Sequence, residues 1–83
     1  MKRLPIRINE EWWMLRIGGD PGADNDGLTD YDQKVIDIRE TADMPDTIIH
    51  ECAHATSKDI SEECVTRIGH AAAGALKAAG LLK

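Results

Sequence analysis

The chain has 83 residues, the length of one small domain, and such a domain buries only roughly 60% of its unfolded surface. Fifteen acidic residues against ten basic ones give a net charge of −5, with no basic stripe beyond Lys2-Arg3, so nucleic acid is not an expected partner. No apolar run suited to a signal peptide or a bilayer span is present. Cys52 and Cys64 are too few for a disulfide framework, so a soluble, reduced, cytoplasmic protein with no membrane contact is expected.

Residues 5–9 alternate Ile6 and Ile8 with Arg7 and Asn9, a period-two strand signal. Residues 12–17 read as a second strand, in which adjacent Trp12 and Trp13 must point to opposite faces, one toward the core. Residues 18–27 (GGDPGADNDG) carry every turn signal. They fail as a calcium-binding EF-hand loop, because Gly22 stands at the first ligand position and Gln33 at the last, and a mobile acidic loop is expected. Residues 28–31 and 34–39 suggest two further strands joined at Asp32-Gln33.

A helix over 44–56 follows, with Asp43 as N-cap and Pro45 in the first turn. A second helix starts at Asp59 or Ser61. Asp59 with Glu62 fits a capping box, whereas Ile60 with Val65 fits a hydrophobic staple around Ser61. Val65, Ile68, Ala72, Ala75 and Leu76 form its apolar stripe, and Gly80 ends it.

The pattern that prescribes chemistry is His50-Glu51-Cys52-Ala53-His54, which reads H-E-x-x-H within the first helix. Histidines four apart share a helix face, so both imidazoles reach one ion. Glu51 lies about 100° around the helix, placed to act as a general base on water at that ion. A catalytic zinc takes a third protein ligand. Asp59, Glu62, Glu63, Cys64 and His70 are the candidates in or before the next helix. Glu62 flanks the buried stripe and is preferred; Glu63 points away but stays in play, since the helix start is uncertain by a residue or two. His70 lies about 12 Å further along the axis, and Cys64 is on the opposite flank. Cys52 faces away from His50 and reads as a small buried hydrophobe. Tyr31 and His70 are conceivable oxyanion partners, although packing roles are commoner for both.

With these residues in hand, the chain resembles the gluzincin-type zinc metallopeptidases. It is most similar to the short metallopeptidase-like proteins of phages and prophages, with a minimal SprT-like or ImmA-like zincin core. The similarity runs from Tyr31-Asp32 through Asp46-Thr47-Ile48-Ile49 and the H-E-x-x-H to Ser61-Glu62-Glu63. It implies an α+β fold, with a small three- to four-stranded antiparallel sheet packed with two helices. It also implies zinc held by His50, His54 and a second-helix glutamate, catalysis by Glu51, and a protein or peptide substrate. The larger zincins carry a further subdomain that walls the cleft, and this chain has none. That leaves a second expectation, a zincin-fold module that docks on a host protein.

Overall fold

The computed structural model describes residues 1–41 and 43–82. Strands β1 (Lys2–Ile8) and β2 (Glu11–Ile17) form a hairpin across Asn9 and Glu10, whose φ angles are 52° and 66°. Positive φ at both central residues suits a type I′ turn, whose twist matches that of the paired strands. Asn9 tolerates this region well. The Arg7 guanidinium donates to the Glu10 carbonyl at 2.8 Å, bracing the less suited Glu10.

Strands β3 (Gly27–Asp30) and β4 (Val35–Ile38) complete a four-stranded sheet in the order β1-β2-β4-β3. The α+β class holds, but the sheet is mixed rather than antiparallel throughout: β4 runs parallel to β2. The 18–26 loop carries the chain past the slot beside β2, placing β3 at the outer edge. The short turn after β3 then returns β4, antiparallel to β3, into the vacant slot. That turn is an Asx arrangement, with Asp30 Oδ1 accepting from the backbone of Asp32 and Gln33 at 3.0 Å each. Ile36 and Ile38 are fully buried and Asp37 nearly so, as a central strand requires.

Both ends of the 18–26 loop are hydrogen-bonded to the end of β4 and the residue after it. Arg39 donates through its backbone to Asp26 O at 2.8 Å and through Nε to Asn25 O at 3.1 Å, and Gly18 donates to Ile38 O at 2.8 Å.

Helix α1 (Met44–Thr56) covers one face of the sheet, setting Met44, Ile48, Cys52 and Ala55 on Ile8, Trp13, Leu15, Ile36 and Ile38. Trp13 is 6% exposed, whereas Trp12, on the opposite face, is 62% exposed. The α1 N-cap is Asp43, but its side chain makes no capping bond. Helix α2 (Glu62–Ala78) packs on α1 and touches no strand among the described residues.

The buried stripe of α2 runs through Val65 and Gly69, with Ala72 and Leu76 half-buried; Ile68 and Ala75, expected in it, are exposed. At Gly69 the two helices are in close contact: a Cβ there would lie 2.5 Å from Asp46 Oδ1 and 3.5 Å from the Asp46 carbonyl oxygen. Ser61 is the cap, accepting from Cys64 N at 3.1 Å, with Ile60 and Val65 placed as the staple requires. At the other end Gly80 has φ 76°, and its N–H reaches Lys77 O while that of Leu81 reaches Leu76 O, a Schellman motif. No described helix is long and apolar enough to cross a membrane.

Candidate metal centre

One turn of α1 sets the His50 and His54 rings side by side, with centroids 5.0 Å apart. Both side chains are half-buried. Ser61 caps α2 so that Glu62 is its first residue, and the rotated stripe turns that residue toward α1. Its carboxylate straddles the pair: Oε1 lies 2.7 Å from His54 Nε2 and Oε2 lies 3.2 Å from His50 Nε2. One ligand atom from each residue falls within 4.8 Å of the others. Tetrahedral zinc with donors at about 2.0–2.2 Å spaces them roughly 3.3 Å apart, so two imidazoles and a carboxylate here suit such an ion with small side-chain adjustment.

Of the competing ligand candidates, Glu63 and His70 are engaged elsewhere. Glu63 pairs with Arg67 at 2.7 Å on the outer side of α2, and His70 lies 3.3 Å from Asp46. Cys64 is an exposed free thiol. Cys52 packs against the core, and burial, with a smaller contribution from Glu51, pushes its thiol pKa up.

Glu51 is 9% exposed, in the flank of α1 facing β3. Its Oε1 accepts from Thr29 Oγ1 at 2.9 Å, and the same hydroxyl lies 3.0 Å from the Glu51 carbonyl oxygen. A hydroxyl has one proton, so the two acceptors share it. Glu51 Oε2 has no hydrogen-bond partner among the described residues. The close seat depends on Gly27, where a Cβ would stand 2.8 Å from both Glu51 Cγ and Thr47 Cγ2.

Neither Thr29 nor Gly27 stands out in the sequence. Strand alternation puts both on one face of β3, but which helix residue meets them follows only from the mixed topology.

Tyr31 donates its hydroxyl to His54 O at 3.0 Å, satisfying a carbonyl in the last turn of α1. Burial, with the charges of Glu51, Asp59 and Glu62, raises its pKa and keeps it a neutral donor. Tyr31 therefore anchors the histidine-bearing turn, and His70 pairs with Asp46.

Two clefts meet at this point. One, of about 380 Å³, is lined by Thr29, Tyr31, His54 and Glu62; the other, of about 360 Å³, by Asp24, Asp43, Asp46 and His70. Both share Asn25, Gly27, His50 and Glu51, so an open trough passes over the residue between the histidines. Comparison with known protein families, with curated proteins and with solved structures finds no match. The site therefore has to be read from its own chemistry.

Proposed function

We propose that the protein is a zinc-dependent metallopeptidase that hydrolyses peptide bonds. His50, His54 and Glu62 hold the ion and Glu51 is the general base. The observation that carries this reading is the convergence of the Glu62 carboxylate on both imidazoles, directly beside a buried Glu51. Zinc held by His50, His54 and Glu62 would acidify a water and polarise a carbonyl, which are the two effects that amide hydrolysis needs.

The protein's own residues do the rest. Glu51 takes a proton as water attacks the carbonyl, and returns it to the departing amine. Thr29 fixes the carboxylate through Oε1 and leaves Oε2 for the proton transfer. Strand β3 is a sheet edge paired only with β4, so its open side offers backbone donors and acceptors to an extended peptide alongside Glu51. Two free cysteines suit action in a reducing cytoplasm.

Glu51→Gln tests the assignment. With a mixed peptide library as substrate, the variant should keep its zinc and lose at least about 100-fold in hydrolysis rate. Undiminished turnover would exclude Glu51 as the base. No cleavage by the zinc-loaded wild type would favour the docking module instead.

A further inference from the structure

The face of the sheet away from α1 carries a feature that peptide hydrolysis does not use. Strand register stacks Arg3 opposite Arg16, Pro5 opposite Met14, and Arg7 opposite Trp12. No described helix covers these residues, because α1 lies on the other face and α2 touches no strand among the described residues. Arg3, Pro5, Arg7 and Trp12 are exposed. The Arg7 guanidinium lies 4.9 Å over the Trp12 ring.

The β1–β2 part of this face carries only positive charge, and Asp37 and Asp30 lie on its β4 and β3 part. Arg16 is matched by buried Asp37 through two hydrogen bonds of 2.6 and 2.7 Å. Arg3 and Arg7 have no carboxylate partner among the described residues. In a chain of net charge −5, two unmatched arginines around an exposed indole form a local cationic island.

We propose that this β1–β2 face binds an acidic protein segment bearing an apolar side chain. Carboxylates would pair with Arg3 and Arg7, and the apolar group would rest against Trp12 and Pro5. Charge complementarity selects that occupant. A second copy meeting the same patch across a two-fold axis would set arginine against arginine. A long nucleic acid would meet the acidic remainder of the molecule, and Arg7 already occupies one stacking surface of Trp12. The metal centre is on the α1 side, so a partner held here leaves the trough open.

The test uses Glu51→Gln protein loaded with zinc, so that a peptide probe stays intact whether or not the chain is a peptidase. The probe is a glutamate-rich peptide containing one phenylalanine and no tryptophan, alongside its lysine counterpart and oligo(dT). Tryptophan emission reports binding, because Trp12 is exposed and Trp13 is already buried. The acidic peptide should shift emission to the blue. Arg3→Gln with Arg7→Gln should weaken binding about tenfold, and added salt should weaken it for the unsubstituted face as well. Equal binding of the lysine peptide, insensitivity to both the substitutions and salt, or tighter binding of oligo(dT) would each overturn the proposal. Should the double variant not fold, the salt titration and the lysine control decide alone.

Discussion

Thr29 on the edge strand and Glu51 on α1 are joined at 2.9 Å, Oγ1 to Oε1, and the same hydroxyl lies 3.0 Å from the Glu51 carbonyl oxygen. One side chain thus fixes both the backbone and the carboxylate of the residue set between two histidines. A buried carboxylate that loses its donor reorients or draws in water, and its aim at a reacting molecule is degraded. Thr29→Val, which keeps the shape and removes the donor, should lower kcat/KM about tenfold with zinc content unchanged. Thr29→Ser should recover most of the loss. Equal activity of wild type and the valine variant would remove Thr29 from the machinery.

Gly27 and Gly69 make opposite predictions from similar clearances. A Cβ at Gly27 meets Glu51 Cγ and Thr47 Cγ2 at 2.8 Å, and both groups are held between β3 and α1. At Gly69 the contact is Asp46 Oδ1 at 2.5 Å, the end of a side chain that can swing aside. Overpacking of a constrained site costs about 1–3 kcal/mol. Gly27→Ala should therefore lower the melting midpoint clearly more than Gly69→Ala, as thermal unfolding followed by circular dichroism will show. The reverse order would mean that β3 and α1 separate more easily than this packing allows.

Ser61 couples helix stability to the His50–His54–Glu62 cluster. Its hydroxyl caps α2 through Cys64 N, and the next residue is Glu62. Ser61→Ala should cost about 1 kcal/mol, a fall of roughly 4–8 °C in Tm for a chain of this size. It should also weaken zinc binding, because the turn that aims Glu62 frays. A zinc titration of the variant that matches wild type would show that Glu62 is positioned independently of the cap.

The two thiols should respond differently to alkylation and to base. Cys64 is exposed and should react with iodoacetamide readily, whereas Cys52 is packed against the core and its burial raises the thiol pKa. Raised folded-state values at Cys52 and Tyr31 give a definite sign. Below the unfolded values, 9.0 and 10.0, both groups are protonated in either state and stability is fully present. As pH rises through that range the unfolded chain ionises first, so stability falls. Denaturant midpoints that rose above pH 9 would contradict this.

Much of the site was legible in the sequence because it rests on local rules. The His50-His54 spacing and the Gly80 terminus each depend on a few neighbouring residues, whereas local signals left the start of α2 between Asp59 and Ser61. The observed Ser61 cap makes Glu62 the first residue of the helix, beside both imidazoles. The sheet was legible only in part. Val35-Ile36-Asp37-Ile38 alternates like a hairpin arm, and nothing in it shows that Asp37 is buried against Arg16 from β2. That pairing is long-range, and it is what makes β4 central and parallel to β2. Thr29 and Gly27 were hidden for the same reason, since their roles exist only once β3 is at the edge beside α1.

The central claim is tested most directly by the metal content of the purified, zinc-equilibrated protein, measured by inductively coupled plasma mass spectrometry. Wild type should carry close to one zinc per chain, and Glu51→Gln the same. His50→Ala, His54→Ala and Glu62→Ala should each retain far less, since every one removes a donor from a three-ligand set. A wild-type chain that emerges free of metal, or a Glu62→Ala variant that binds zinc as tightly as wild type, would contradict the account.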